Sequence, residues 1–265
     1  MASTFVHWVD RQSWFHALVK ILKLRDLASW FLRLWPITRS FSSGTVVEVS
    51  GLESLFLCDE IFQRETYKRA LSLSGEVKTV GDLGCNTGFF CCYLRHYFDR
   101  TNFRGIGIDA NPAILKNAER NLELNNLKDI RLLNGLVGGA KGTSQKFYVY
   151  ASHLGSSQFL QTETGRLQKG AWKEIEVPIL TLSEIWKTSY GAEAVDLLKI
   201  DIEGSEGKLL LADPALFQMT KCLVLEWHKW LVKEEELFPA LLNLGFTHQV
   251  ALDKGNTAEL WFFSR

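Results

Sequence analysis

Several carboxylates and one histidine stand at spacings that suit proton transfer or the binding of a cation. Asp201 and Glu203 are two residues apart, and Glu226 and His228 repeat this spacing further along the chain. One interpretation is a general base with an orienting acid, such as His228 held by Glu226 or Asp201. The other is a divalent ion such as Mg²⁺, bound by Asp201, Glu203 and Glu226, which would lower the pKa of a bound hydroxyl. The residues allow both interpretations, and we favour direct proton transfer.

A glycine loop follows Asp82. It has the spacing Gly84-x-x-x-Gly88, with Asn86 where the dinucleotide fingerprint carries its middle glycine. Because that glycine admits a pyrophosphate, its absence favours a nucleoside without a diphosphate. We expect Gly84 to let the backbone approach the ligand closely, and Asp82 to face a cationic ammonium group.

A second acid, Asp109, is predicted to end the next strand. It lies 25 residues after Gly84, near the spacing of about 20 at which an acid accepts hydrogen bonds from ribose hydroxyls. A ribose joined to a positively charged amino-acid tail describes S-adenosylmethionine (SAM). Ala110, Asn134 and Gly135 follow neighbouring strands, and we expect them to flank the adenine in an apolar slot.

These residues need a scaffold that brings the ends of distant strands together. From residue 77 the chain alternates short apolar runs with amphipathic stretches, which predicts a parallel sheet covered by helices on both faces. The parallel strands are predicted at 77–82, 105–109, 129–133, 195–201 and 222–226, and a terminal antiparallel hairpin at 247–252 and 257–263. We therefore predict an α/β fold with a doubly wound, mostly parallel, seven-stranded Rossmann-like sheet, an antiparallel C-terminal hairpin and an N-terminal helical extension.

The extension, residues 1–40, combines apolar positions at helical spacing with positive charge. Two short amphipathic helices are predicted, over 15–22 and 27–34, with a break near Arg25 and Asp26. The segment holds six basic and two acidic residues, and four of the nine tryptophans. We favour packing of the apolar faces on the main domain or on a second subunit, and the alternative is a helix lying on a membrane surface.

Residues 41–76 are predicted to lead into the main domain. Residues 41–44 resemble a linker, and 45–49 are predicted to form a strand paired with 55–57. A short helix is then expected to open at 59–62 and to continue through Leu71.

The composition excludes several classes of protein. With 265 residues, 46% hydrophobic and 23% charged, the chain is globular and not collagen-like, coiled-coil or disordered. Thirty basic residues balance thirty acidic ones, so we predict no nucleic-acid partner. The chain has no apolar run near the ~18 residues of a spanning helix and no secretory signal pattern. Five cysteines without a C-x-x-C pair predict reduced thiols and a cytoplasmic location. The alternative interpretation of residues 1–40 adds association of the N-terminus with a membrane.

Four parts of the chain carry a resemblance to a known family. They are residues 55–62 with Tyr67, the DLGCNTGFF stretch at 82–90, the LKIDIEGSE stretch at 198–206, and the linking pieces 154–157 and 180–182. Over residues 46–252 the chain resembles the FkbM-type SAM-dependent methyltransferases. DLGCNTGFF is common to many methyltransferases, whereas LKIDIEGSE is more particular. Cys85 departs from the family's usual alanine, and the individual segment 138–178 is expected to shape the acceptor pocket.

The resemblance implies that residues 77–265 form a methyltransferase domain. Its usual activity is transfer of a methyl group from SAM to a hydroxyl oxygen on a sugar or natural product. By the same analogy, Glu60 and Tyr67 close over the amino-acid end of the cofactor. The residues predicted to bind SAM are therefore Glu60, Tyr67, Asp82, Gly84, Asn86, Gly88, Phe89, Asp109, Ala110, Asn134, Gly135 and Asp201.

Partners and alternatives complete the predictions. The acceptor is expected to be a small molecule or a glycan- or lipid-linked hydroxyl, and a homodimer is a further expectation. One alternative function is a nicotinamide-dependent oxidoreductase, which the missing fingerprint glycine argues against. Another is a non-catalytic module with this fold that acts through residues 1–40. Lys199 is either a buried partner for a neighbouring acid or a contact for the substrate.

Overall fold

The computed structural model describes residues 24–138, 142–150, 172–229, 231–255 and 258–265. Its helices are α1 Leu24–Leu34, α2 Leu52–Phe62, α3 Lys68–Leu73, α4 Phe89–Phe98, α5 Pro112–Leu124, α6 Leu182–Tyr190, α7 Glu206–Ala212, α8 Pro214–Gln218 and α9 Glu234–Asn243. Its strands are β1 Ile37–Ser40, β2 Val46–Val49, β3 Thr79–Leu83, β4 Arg104–Asp109, β5 Ile130–Asn134, β6 Ser144–Tyr150, β7 Trp172–Pro178, β8 Val195–Ile200, β9 Thr220–His228, β10 His248–Lys254 and β11 Ala258–Ser264.

One seven-stranded sheet, in the order β10-β11-β9-β8-β3-β4-β5, forms the centre of the molecule. Neighbouring strands from β9 to β5 are parallel, whereas β11 is antiparallel to both β9 and β10. The strand order reverses beside β3, which has β4 on one side and β8 on the other. In a doubly wound sheet, ligands bind in the crevice at such a reversal. The mixed sheet and its terminal hairpin confirm the predicted fold.

The central strands are rigidly held because their side chains alternate between two cores. Every residue of β3 and of β8 is buried. Leu197 packs in a core with residues of α2, α3 and α4, whereas its neighbour Leu198 packs on the opposite face with Trp186 of α6. This period of two is the geometry of a strand covered on both faces. The loops that follow β3 and β8 therefore start from a stiff support.

The N-terminal part differs from the prediction. Residues 55–57, predicted as a strand, lie within α2, and β2 pairs with β1 from Ile37↔Val49 to Ser40↔Val46. The predicted helical extension therefore ends in a strand. Seven of the 11 residues of α2 are buried, and burial around the helix conceals the helical period in the sequence. The helix expected from 59–62 to Leu71 is the end of α2 followed by the separate α3.

Helix α1 corresponds to the second of the two predicted amphipathic helices. It runs without interruption through Arg25 and Asp26, where the sequence predicts a break. The first predicted helix falls on residues 1–23, outside the described residues. In the part of the chain that is described, no helix is long and apolar enough to cross a membrane.

An unpredicted hairpin of β6 and β7 lies beside the main sheet. Its strands pair from Ser144↔Pro178 to Tyr150↔Trp172. Phe147 and Val177 of this hairpin pack against Ala110 and Leu136, which follow β4 and β5. Part of the individual segment 138–178 is thereby placed against the carboxyl edge of the sheet. Residues 154–157, one of the pieces that carry the family resemblance, lie outside the described residues.

All five cysteines are free and buried, as expected for reduced thiols. Burial raises the pKa of Cys58 to about 11, although Arg39 opposes the shift. Burial also raises the pKa of Cys91, and that of Cys85, well above the ordinary value. These thiols therefore stay protonated and pack as small apolar groups.

Candidate active site

The loop after β3 is fastened to both neighbouring strands. The backbone N–H groups of Gly84 and Cys85 donate to the carbonyl of Ile108 on β4, at 2.9 and 3.0 Å. Gly84 has φ 73, and a Cβ added there would lie 1.8 Å from the carbonyl oxygen of Asp201. The glycine is therefore required by close packing of the β3 loop on the β8 loop. The sequence prediction explained this glycine by the close approach of a ligand and did not include its packing on the β8 loop.

Asp109 ends β4 and holds the glycine loop in place. Its carboxylate accepts hydrogen bonds from the backbone N–H of Asn86 at 2.9 Å and from that of Asn111 at 2.8 Å. Burial raises the pKa of Asp109 to about 6, although these two hydrogen bonds oppose the shift. Each oxygen keeps lone-pair capacity for a further donor. A ribose hydroxyl is a donor of the right kind for a carboxylate in this position.

A cavity opens at this edge of the sheet, and we call it the Asp109 cavity. Its polar lining includes Asp109, Asn86 and Asp201, and an apolar wall faces them. The full lining is Gly84, Asn86, Ile108, Asp109, Ala110, Asn111, Ile114, Gly135, Leu136, Val137, Phe147, Asp201, Ile202, Glu203 and Ser205. Apolar walls suit a planar base, and the carboxylates suit a ribose and a cationic tail. The residues present therefore fit a nucleoside with a positive tail.

A second, smaller cavity, the Tyr67 cavity, adjoins the first. Its lining is Leu57, Ile61, Tyr67, Gly84, Cys85, Asn86, Phe89, Phe90, Lys199, Asp201 and Glu203. Gly84, Asn86, Asp201 and Glu203 line both cavities. The two spaces therefore meet at the glycine loop and at the acids that follow β8.

Lys199 supplies the positive charge in this crevice. Its Nζ donates to the carbonyl of Gly84 at 2.8 Å and lies 3.5 Å from an oxygen of Asp82 and 3.5 Å from one of Asp201. Burial by itself lowers the pKa of Lys199, but the charges of Asp201 and Asp82 together raise it well above its ordinary value. Of the two roles considered for Lys199, the structure supports that of a buried partner for neighbouring acids.

Asp82 lies deeper than expected. Its side chain has no exposed area, and one oxygen accepts a hydrogen bond from the thiol of Cys91 at 3.6 Å. Burial raises the pKa of Asp82, and the charge of Lys199 opposes that shift. Asp82 therefore compensates Lys199 beneath the crevice, and this arrangement does not support the predicted contact with an ammonium group of the ligand.

His228 contacts two acids, of which only Glu203 was predicted. Its Nδ1 lies 2.9 Å from Oε1 of Glu206, and its Nε2 lies 3.6 Å from Oε2 of Glu203. The orienting acid is therefore Glu206, and not Glu226 or Asp201 as predicted. Burial by itself lowers the pKa of His228, but the hydrogen bond and charge of Glu206, with other acids, raise it to about 10. His228 is thus a cation at neutral pH, with Nδ1–H donating to Glu206.

Two carboxylates of the cluster, Glu203 and Glu226, have pKa values raised to near neutral pH. Burial and the nearby Asp201 raise the pKa of Glu203 to about 7, and His228 opposes the shift. The charge of Asp201, followed by burial, raises the pKa of Glu226 to about 8. Because these groups interact strongly, their protons belong to the cluster and not to one residue. Groups that titrate near pH 7 are suited to accept a proton in a reaction.

The group that could hold a metal differs from the predicted one. Among the described residues, Asp201, Glu203 and His228 bring one ligand atom each within 4.8 Å of one another. His228 thus stands where the sequence suggested Glu226. Carboxylate oxygens and an imidazole nitrogen are suitable ligands for a divalent ion.

The remaining predicted residues fall into three groups. Five residues line at least one of the two cavities, as expected for contact residues: Asn86, Ala110, Gly135, Tyr67 and Phe89. Asn134 and Gly88 line neither cavity. Asn134 donates to the carbonyls of Asp109 and Ala110, both at 3.0 Å. Gly88 precedes α4 with φ 75. Glu60, on the last turn of α2, lines neither cavity; partial desolvation of its carboxylate and the charge of Asp201 raise its pKa.

Two residues of the site were not predicted. Phe147 reaches the Asp109 cavity from β6, and the aromatic run Phe147-Tyr148-Val149-Tyr150 is the sequence signal for that strand. Glu206 orients His228, and it is the last acid of the LKIDIEGSE stretch. In the sequence alone, an acid at the start of a helix also suits the helix dipole, so its role could not be assigned.

A comparison with known protein families identifies the family to which this chain belongs. The model of the methyltransferase FkbM domain matches residues 82–248, which is more than half of the chain. The chain belongs to the FkbM methyltransferase family. This FkbM-family chain is 24% identical over 202 residues to methyltransferase sdnD of Sordaria araneosa, covering 67% of this chain and 76% of that protein.

Solved structures show similar but distant folds. The FkbM methyltransferase of Methylobacillus flagellatus KT is 13% identical with a TM-score of 0.46, over 71% of this chain and 43% of that one, so this chain spans less than half of it. TrmK of M. capricolum, solved with S-adenosylhomocysteine, is 9% identical with a TM-score of 0.43, over 74% of this chain and 67% of that one. The family assignment rests on the domain match and not on these likenesses.

Membership of the FkbM family makes the protein a SAM-dependent methyltransferase. It also decides against the nicotinamide-dependent oxidoreductase. The lining of the Asp109 cavity fits the methyl donor, because it offers carboxylates and an apolar wall to a nucleoside with a positive tail. Asp109, Asn86 and Ala110 are the residues that would hold its nucleoside part.

Proposed function

We propose that this protein methylates a hydroxyl oxygen of a small-molecule, glycan-linked or lipid-linked acceptor. The observation that carries the proposal is the position of the acid–histidine cluster. Asp201 and Glu203 line both the Asp109 cavity and the Tyr67 cavity, and His228 stands behind Glu203. This position supports a proton acceptor at the junction of the two cavities, which methylation of a hydroxyl needs.

When bound, SAM supplies a methyl group that is already activated by the positive charge on its sulfur. The chain therefore has two tasks, to align an acceptor oxygen and to remove its proton. Alignment is the larger contribution to such reactions, and a positioned base adds a factor of about 10² to 10⁴. In such a transfer the oxygen–methyl bond would form as the sulfur–methyl bond breaks, S-adenosylhomocysteine would leave, and a side chain of the protein would accept the hydroxyl proton.

Glu203 is the residue that we assign as the proton acceptor. Its pKa of about 7 suits that role, whereas a pKa of about 10 keeps His228 protonated and unable to accept. Asp201 already forms an ion pair with the ammonium of Lys199 at 3.5 Å, so we assign the role of base to Glu203 and not to Asp201. His228 then serves as a fixed cation that orients Glu203, and Glu206 fixes His228 in turn.

The test is a transfer assay with SAM and a panel of hydroxyl-bearing acceptors. S-adenosylhomocysteine release and product mass would be followed together, and the methylated atom located by NMR. Glu203→Gln should lower kcat by about 10² to 10⁴, and SAM affinity would be measured separately so that binding and transfer are distinguished. The matched control is Glu184→Gln, an exposed acid in the first turn of α6.

Three results would contradict the proposal. A methyl group found on nitrogen or carbon would exclude O-methylation. Equal rates for Glu203→Gln and the wild type would exclude Glu203 as base. Tight SAM binding without transfer to any acceptor would support the non-catalytic alternative.

The same assay distinguishes a metal-assisted reaction. Asp201, Glu203 and His228 could together bind a divalent ion, which would lower the pKa of the acceptor hydroxyl. We prefer direct proton transfer because His228 and Glu203 already compensate each other's charge at 3.6 Å. Under this preference, dialysis against a chelator leaves the rate unchanged. Loss of the rate with recovery on adding Mg²⁺ or Mn²⁺ would establish the metal instead.

A further inference from the structure

Helix α1 presents a row of large apolar side chains to the outside of the protein. Leu27, Trp30, Phe31, Leu34 and Trp35 are exposed to 58%, 55%, 53%, 50% and 57%. The spacing of Leu27, Trp30, Phe31 and Leu34 places them along one face of the helix, and Trp35 directly follows its last residue. Soluble proteins rarely leave so many large apolar groups together, and such a patch marks a contact surface. The packing on the main domain favoured from the sequence therefore does not cover this face.

The opposite side of α1 fixes its orientation. Ser29 is buried, and its hydroxyl donates to a carboxylate oxygen of Glu53 on α2 at 3.2 Å. β1 follows α1 after two residues and pairs with β2. The apolar face consequently points outward because the helix is attached through its other side and its end.

Charge indicates what covers this face. Residues 1–40 hold six basic and two acidic residues, a net charge of +4, so the neutral chain carries −4 in its other residues. Residues 24–40 alone hold three basic residues and one acidic residue, so two copies meeting through this face would bring two positively charged segments together, which is unfavourable. An anionic lipid surface has the complementary charge. Trp30 and Trp35 are of a residue type enriched at membrane interfaces, and Phe31 suits the apolar face of a surface helix.

We propose that α1 binds the surface of an anionic membrane, with the helix lying in the plane of the interface. The apolar face would enter the boundary between headgroups and acyl chains, as amphipathic surface helices do. The helix also borders the site. Arg33 lines a groove with Asn86 and Ile114, and these two residues line the Asp109 cavity as well. Membrane binding would therefore hold that side of the enzyme close to the lipid surface.

The experiment is sedimentation of the full chain with vesicles. Phosphatidylcholine vesicles would be compared with vesicles that also contain phosphatidylserine, at low and high salt. The test variant is Trp30→Ala/Phe31→Ala/Trp35→Ala. The control is Leu211→Ala/Leu242→Ala, which removes side chains that are 85% and 57% exposed elsewhere. Thermal unfolding and light scattering would accompany each protein, so that folding and oligomeric state are known.

The proposal predicts binding to the anionic vesicles that salt weakens. The Trp30/Phe31/Trp35 variant should lose about tenfold or more of this binding with an unchanged melting temperature, and the control should keep it. Absence of wild-type binding, or equal binding by both variants, would overturn the proposal. So would a wild-type dimer that becomes monomeric in the triple variant, because a second copy would then cover the face. None of these readouts depends on methyl transfer.

Discussion

Replacement of Lys199 by methionine tests the charge balance beneath the crevice. Lys199 faces Asp82 at 3.5 Å, and the two side chains are 6% and 0% exposed. Removal of the ammonium leaves a buried carboxylate without its counter-charge. Breaking a buried pair in this way costs about 3–5 kcal/mol, so Lys199→Met should lose that much unfolding free energy at neutral pH.

Urea unfolding of four proteins would measure this effect. Asp82→Asn/Lys199→Met removes both charges and should recover about 2 kcal/mol or more relative to Lys199→Met alone. Lys221→Met is the control, because Lys221 pairs with Asp196 at 2.6 Å but is 62% exposed. An exposed pair contributes about 1 kcal/mol or less.

The pH dependence provides a second signature. Without Lys199, the already raised pKa of Asp82 rises further. A carboxyl whose pKa is higher in the folded than in the unfolded protein destabilises at high pH, and this penalty fades as the pH falls and the group takes up its proton. The deficit of Lys199→Met should therefore shrink as the pH is lowered. A deficit independent of pH, or a double variant no more stable than Lys199→Met, would refute the assignment of Asp82 as the counter-charge.

Three further predictions concern the site itself. Asp109→Asn should weaken SAM binding in calorimetry by about 1.5–3 kcal/mol, the value of one charge-assisted hydrogen bond; equal affinities would contradict it. Gly84→Ala should lose about 2–5 kcal/mol of unfolding free energy through left-handed strain and overlap with backbone, whereas Gly75→Ala, with φ 67 and nothing within 4 Å, should lose only the strain of about 1–2 kcal/mol. Methyl transfer, followed as kcat/KM, should rise with pH as Glu203 and Glu226, with pKa values of about 7 and 8, lose protons; a rate that falls over that range would exclude a carboxylate base.

Local patterns were sufficient to predict the central sheet. β3, β4, β8 and β9 are short apolar runs that end in or lead to acids, and parallel strands put these ends on one edge. The acids Asp109, Asp201 and Glu203 accordingly lie in one crevice, as their positions after strands predicted. The hairpin of β10 and β11 was equally visible from its turn residues.

Features that depend on tertiary packing were not predictable. Asp82 and Lys199 lie on neighbouring strands, and only the pairing of β3 with β8 shows that they neutralise each other. Glu206 looked like a helix-terminal charge, and its contact with His228 joins α7 to β9. α2 is buried nearly all round, so its sequence lacks the stripe that marks a surface helix.

A crystal structure of the full chain with S-adenosylhomocysteine would test the central claim most directly. The account predicts the nucleoside in the Asp109 cavity, with ribose hydroxyls on the Asp109 carboxylate and the sulfur turned toward Asp201 and Glu203. The Tyr67 cavity would then remain for the acceptor. A ligand bound elsewhere, or a sulfur remote from Asp201 and Glu203, would contradict the assignment of this crevice as the site of methyl transfer.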